Sequence, residues 1–209
     1  MRAASLVLLF ITSFVTPPVT QAQEPAEKPA PPRFTVRFES SRGDIEIHVE
    51  REWAPLGTDR FYHLVRSGYY DGARFFRVVA GRWAQFGING NPSISKAWRH
   101  RVLPDDPRKQ SNVRGVVAFA WAVPNGRTTQ VFINLGDNSE TLDRQGFAPF
   151  GRVTRGMEVV DALYSGYGEE SGGGIRAGKQ DLLFELGNVY LLERYPRLDY
   201  IRRAIIEAP

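Results

Sequence analysis

The sequence contains no cysteine, two methionines and three histidines in 209 residues. Without cysteine there is no disulfide, no thiol nucleophile, no thiolate metal site and no lipid-bearing N-terminal cysteine, so the fold must stand on packing alone. His48, His63 and His100 lie far apart, and none has a second histidine at ligand spacing. His63 follows Asp59 by one helical turn, a spacing that suits a surface helix pair better than a catalytic dyad. A Gly-x-Ser-x-Gly elbow, a phosphate loop and a dinucleotide fingerprint are also missing. Asn91-Pro92-Ser93 is no glycosylation acceptor, because proline fills its middle position. Covalent, metal-assisted and cofactor-borne chemistry therefore start at a disadvantage, and neither a metal nor a cofactor is expected.

Lysine and arginine number 27 against 23 acidic residues, a net charge of +4, and the basic residues form no block. A nucleic-acid partner is not expected from that distribution. The apolar run Ala3–Val15 is too short to span a bilayer comfortably. Preceded by Arg2 and followed by Pro17, Pro18 and Thr20-Gln21-Ala22, it reads as a secretory signal peptide over residues 1–22. Export to the periplasm or the extracellular space follows as the expectation, with no stable membrane insertion after cleavage.

A hydrophobic share of 42% is ample for one core. Residues 23–32 are rich in proline, alanine and charge and read as a semi-extended tether. From Phe34 the pattern alternates (Phe34, Val36, Phe38, then Ile45, Ile47, Val49) around a Gly-containing turn, which predicts a β-hairpin with one buried face. The tripeptide Arg42-Gly43-Asp44, read by some adhesion receptors, falls at that turn, where turn residues are needed anyway. Pro55 opens a helix carrying Phe61, Leu64 and Val65, and Ser67-Gly68 stops it. Residues 88–109 read as a long surface loop and 137–145 as a polar loop. Val113–Ala122 and Gln130–Leu135 read as neighbouring strands across an Asn125-Gly126 turn, Phe150–Val153 as a further strand, and Met157–Tyr164 as a second helix. Residues 165–178 form a glycine-rich stretch expected to be mobile. Val189–Leu192 reads as strand-like, and Leu198, Ile201, Ile205 and Ile206 as an amphipathic close. Several short strands with only two helices argue for a mostly antiparallel β structure, closed or sandwiched.

The stretch from Arg74 to Gly87, RFFRVVAGRWAQFG, sets Arg77 and Gln85 among aromatic, branched and small residues. Strand alternation would put Phe75, Arg77 and Val79 on one face. Arg77 is then either a surface arginine whose stem lies along apolar neighbours or a fixed donor at the rim of an apolar pocket.

That stretch, with RGVVAFAWAVPNGRTTQVFIN and GFAPFGRVTRGMEVVDALY, resembles the cyclophilin family of peptidyl-prolyl isomerases from about Phe34 to Tyr164. The resemblance implies a closed eight-stranded antiparallel barrel with a helix over each end and a proline-binding groove on its outer face. It implies domain limits of about 33–195, with 196–209 as the C-terminal tail. It places Arg77 on the family's catalytic arginine and Gln85 on the glutamine that helps position it. Ala120, Trp121 and Gln130 fall on the segment that holds the substrate chain, and Phe132 on the floor of the proline pocket, with Trp83 and Phe147 as its walls. Departures are Arg82 for a pocket phenylalanine, Leu142 where tryptophan is frequent, Phe147 for histidine, Trp121 for asparagine and Phe76 for the histidine before the arginine. Leu142 implies weakened binding of cyclosporin-type ligands. The implied partners are proline-containing peptides and unfolded exported proteins, met by a monomer.

Three functions follow as expectations: an exported prolyl isomerase, a binding or chaperone module of the same fold with little or no turnover, and, remotely, a surface adhesion protein using Arg42-Gly43-Asp44.

Overall fold

The computed structural model describes residues 28–174 and 178–207. The expected signal peptide and the first half of the tether lie outside the described residues. The tether's last residues are docked: the Ala30 N–H donates to Asp59 Oδ1 at 2.8 Å, and the Arg51 N–H to the Pro32 carbonyl.

The alternating pattern produces its hairpin. β1 (Arg33–Ser40) and β2 (Gly43–Glu50) pair antiparallel with Phe34 opposite Val49 and Phe38 opposite Ile45, every second residue buried. Arg42 of the turn pairs with Asp199, while Gly43 and Asp44 already belong to β2. α1 (Pro55–Arg66) starts on its proline and buries Phe61, Leu64 and Val65 against the hairpin's apolar face. Its first-turn N–H groups, orphaned in any helix, are satisfied from a distance: Asp106 accepts from Leu56 and Gly57 and pairs with the buried Arg127. Burial pins Phe38, Phe61, Tyr70, Phe86 and Phe150 into one aromatic cluster inside the curled sheet.

β3 (Arg77–Val79), β4 (Trp83–Phe86), β5 (Val116–Phe119), β6 (Val131–Asn134), β7 (Pro149–Arg155) and β8 (Ile201–Ile206) complete one eight-stranded antiparallel sheet in the order β3-β4-β6-β5-β7-β2-β1-β8. The expected closed barrel is corrected here: the sheet is an open half-barrel with β3 and β8 as its edges. Residues 72–75 are tied across the seam to residues 199–201, by Gly72 N–H to Ile201 O, Ile201 N–H to Ala73 O and Phe75 N–H to Asp199 O, while β3 and β8 themselves are not paired with each other. The Phe76 carbonyl, one residue before β3, accepts instead from the Ser171 hydroxyl.

Five α-helices occur among the described residues, not two. α2 (Pro92–Trp98) lies within the expected loop 88–109, started by Asn91, whose side chain accepts the Ser93 N–H. α3 (Ser139–Gln145) replaces the expected polar loop and ends on Gly146 at φ 84°. α4 (Met157–Asp161) is the second expected helix, in shortened form. α5 (Asp181–Arg194) absorbs the strand-like Val189–Leu192, because Leu183, Phe184 and Leu191 must cover Phe76 and Ile88. It is broken at Gly187 (φ 57°), where a Cβ would lie 2.2 Å from the Gly90 carbonyl oxygen. The stretch expected as an amphipathic tail contains β8, which pairs with the edge of β1, with Phe38 opposite Ala204. Nor does alternation run through Phe75, because the strand begins at Arg77. Phe75 enters the main core and Phe76 the cluster under α5, so the face supposed to join Phe75, Arg77 and Val79 does not exist.

Candidate active site

Pairing alone begins the site. The β3–β4 register sets Arg77 opposite Gln85, and the β4–β6 register sets Gln85 opposite Phe132. Arg77 Nη1 donates to Gln85 Oε1 at 2.8 Å, and Gln85 Nε2 donates to Gln130 Oε1 at 2.8 Å. Gln130 precedes β6, and its position is fixed through its neighbour Thr129. The Tyr69 hydroxyl donates to the Thr129 hydroxyl and the Tyr70 hydroxyl to the Thr129 carbonyl, while Thr129 itself donates to the Gly87 carbonyl. Burial pushes both phenols above their ordinary pKa, which keeps them as protonated donors. Gly87 is obligatory at this crossing: its φ is 108°, and a Cβ would stand 2.4 Å from the Thr129 carbonyl oxygen.

Beside this polar row lies an apolar pocket. Phe132, Leu142, Phe147 and Ala118 form a separate buried cluster, flanked by Trp83, Ala120 and Trp121. Trp121 stacks on Phe147 with ring centres 4.5 Å apart and planes 15° from parallel, and Phe147 meets Phe132 edge-on at 5.7 Å. α3 and the turn at Gly146 deliver Leu142 and Phe147, whose carbonyl accepts from Asn112. The Ala120 N–H donates to the Gln130 carbonyl, so the Ala120–Trp121 backbone runs alongside Gln130. The two halves share one cleft of about 700 Å³, and all nine residues singled out from the sequence line it: Arg77, Trp83, Gln85, Ala120, Trp121, Gln130, Phe132, Leu142 and Phe147.

Other residues on and behind the cleft wall escaped the sequence reading. Glu169 takes the other edge of the Arg77 guanidinium in a two-bond fork, Nε to Oε2 at 2.6 Å and Nη2 to Oε1 at 2.9 Å. Gln180 accepts from Gln130 Nε2 at 2.9 Å, and Arg99, Asp181 and Phe184 close that side. The stretch expected to be a mobile glycine-rich loop is, over residues 165–174, a structured wall with a short 3-10 turn at Glu170–Gly172. Nothing local marks Glu169, since its partner lies 92 residues away in sequence. Trp83 has the guanidinium carbons of Arg77 and Arg82 each 4.8 Å from its ring centre. Arg82 thus sits on the wall, and Trp83 supplies the apolar surface next to it.

Among the described residues no group of three or more histidines and carboxylates is placed to hold a metal. The chemistry the cleft offers is electrostatic. A guanidinium presents five N–H donors in a fixed plane; three are engaged by Gln85 and Glu169, and two are taken by neither.

Comparison with known proteins agrees in sequence and fold. The family model described as cyclophilin type peptidyl-prolyl cis-trans isomerase/CLD matches residues 35–177. Peptidyl-prolyl cis-trans isomerase B of Escherichia coli is 31% identical over 157 residues, 72% of this chain and 96% of that protein. Peptidyl-prolyl cis-trans isomerase A of Dickeya dadantii is 33% identical over 132 residues, 61% of this chain and 70% of its own length. A cyclophilin-type isomerase of Cryptosporidium parvum, solved in the presence of the dipeptide Ala-Pro, shares the fold with a TM-score of 0.59 at 20% identity, covering 84% of this chain and 99% of that one. By its matched residues, its relatives and its fold, the chain belongs to the cyclophilin-type peptidyl-prolyl cis-trans isomerase family.

Proposed function

We propose that this chain catalyses rotation about X-Pro peptide bonds at the cleft around Arg77. The observation that carries the reading is that a single cleft is lined both by a guanidinium with two N–H groups not taken by Gln85 or Glu169 and by the apolar cluster of Phe132, Leu142 and Phe147.

Amide resonance sets a rotation barrier of about 18–20 kcal/mol, and uncatalysed X-Pro exchange takes tens to hundreds of seconds. No bond is made or broken in the reaction. In the planar ground state the prolyl nitrogen's lone pair is shared with the carbonyl; in the twisted state it returns to nitrogen and accepts a hydrogen bond. Arg77 donates that bond, which is strongest in the transition state and so raises turnover rather than affinity alone. Phe132 and Phe147 hold the pyrrolidine ring while the preceding carbonyl swings, and Trp83 and Trp121 bound the pocket. Gln85 keeps Arg77 aimed, and Gln130 with the Ala120–Trp121 backbone grips the peptide as an added strand.

The substrates in this reading are proline-containing segments of exported proteins. Supporting export are the order of Arg2, the Ala3–Val15 run and Thr20-Gln21-Ala22. A cell-fractionated chain beginning at Gln23 is the expected result, and a cytoplasmic chain retaining its first residues would remove export from the proposal.

One contact favours a second reading. Gln130, the proposed grip on the peptide, already has both ends of its amide engaged by Gln85 and Gln180, as a weakly active binding module would. Exchange NMR on short X-Pro peptides separates the two. Wild type is expected to accelerate isomer exchange and Arg77→Ala to lose that acceleration while still broadening the peptide signals. Broadening without acceleration in wild type would leave only the binding module.

A further inference from the structure

We propose that Glu169 is a positioning residue for the reaction, holding the Arg77 guanidinium in the plane from which it donates to the substrate; the inference rests on the role of Arg77 proposed above. Arg77 opens a three-residue strand at the edge of the sheet, and its long side chain has four rotatable bonds to fix. Gln85 engages a single nitrogen, which leaves the guanidinium free to pivot about that bond. Glu169 removes the pivot by a two-bond fork on Nε and Nη2, a geometry that fixes plane as well as place.

The backbone around Glu169 is built for the same purpose. The Ser171 hydroxyl donates to the Phe76 carbonyl at 2.7 Å, tying the 3-10 turn to the residue before Arg77. Gly172 then lies against the arginine stem, where a Cβ would come within 2.6 Å of Arg77 Cβ and 2.9 Å of Cγ and Cδ. Beyond Gln85 the hydrogen bonds pass to Gln130 and Gln180, and Gln180 donates at 3.4 Å to the carbonyl of Gly172, the residue packed against the arginine stem. The side chain is 12% exposed and lines the cleft.

The test uses the full mature chain with Glu169→Ala, Glu169→Gln and Glu169→Asp, measured by peptide exchange NMR together with the Nε–H resonance of Arg77. Glu169→Ala is expected to lower kcat about 10- to 100-fold, the scale of a misplaced reacting group, with KM changed less than about twofold. Glu169→Asp recovers part of that loss, and Glu169→Gln, with one neutral acceptor, falls between. In parallel the Arg77 Nε–H resonance leaves its hydrogen-bonded, exchange-protected position. Wild-type or higher kcat in Glu169→Gln overturns the proposal, as does a loss confined to KM, or a loss of kcat with the Arg77 resonance unmoved. If Glu169→Ala does not fold, the Gln and Asp variants decide alone. Arg77→Ala serves as the reference: full activity in it would sink the role of Arg77 itself, whereas an inactive Arg77→Ala beside fully active Glu169 variants would sink only the role of Glu169.

Discussion

The two halves of the cleft are built in different ways. The apolar half is assembled from chain segments that are also structural: β5 and β6 supply Ala118 and Phe132, and α3 with its glycine turn supplies Leu142 and Phe147. Its stability comes from burial and ring contact, which tolerate small displacements. The polar half is a row of directional bonds from Glu169 through Arg77, Gln85 and Gln130 to Gln180, drawn from four separate parts of the chain. Directional bonds fail steeply with misplacement, so this half needs an outside wall that the apolar half does not. Residues 165–174, with residues 178–180 and α5, are that wall. Affinity should therefore depend chiefly on the apolar half and turnover on the polar one.

The largest expected effect sharpens that division. Arg77→Lys keeps the charge but loses the planar fork, and turnover of an X-Pro peptide should fall about 100-fold or more, the cost of removing a key transition-state donor, with affinity nearly unchanged. Equal losses in affinity and turnover would show that Arg77 binds rather than catalyses. Next is Phe132→Ala. Removing the pocket floor forfeits about 2 kcal/mol of apolar contact, or about 30-fold in peptide affinity by titration calorimetry, while the Arg77 Nε–H resonance stays in place. A displaced Arg77 resonance in that variant would break the separation of the halves. The smallest effect is predicted for Gln180→Ala. Freed from Gln180, the Gln130 amide meets the peptide without first giving up a partner, and affinity should rise about fivefold, since a net hydrogen bond is worth about 1 kcal/mol. A fall in affinity would mean that Gln180 is part of the grip.

How much of this was legible in the sequence follows the same division. The hairpin from Phe34 to Val49 was readable because one face is buried and the period of two is unbroken. All nine site residues come together because each lies in a stretch whose local pattern and order resemble the family. What the sequence hid depends on distant partners. The amphipathic close became β8 because β1 offered an unpaired edge. Val189–Leu192 became helix because Leu183, Phe184 and Leu191 had Phe76 to cover. Asp106 caps a helix from far along the chain, 49 residues beyond the Gly57 N–H it accepts from, which no local capping pattern could reveal. Glu169 looked like one more charge in a glycine-rich stretch; its meaning depends on Gly172 lying against the arginine stem. The open seam between β3 and β8 likewise depends on partners distant in sequence, which no local pattern marks.

The most direct test of the central claim is side-chain NMR mapping during titration with an Ala-Pro peptide that the protein isomerises. The account predicts that Phe132, Trp121, Phe147 and the Arg77 Nε–H shift together with one dissociation constant, and that this constant governs isomer exchange. Shifts centred instead on the other cleft, lined by Ala30, Pro32, Arg33, Glu50, Arg51 and Glu52, with Arg77 and Phe132 unmoved, would contradict it.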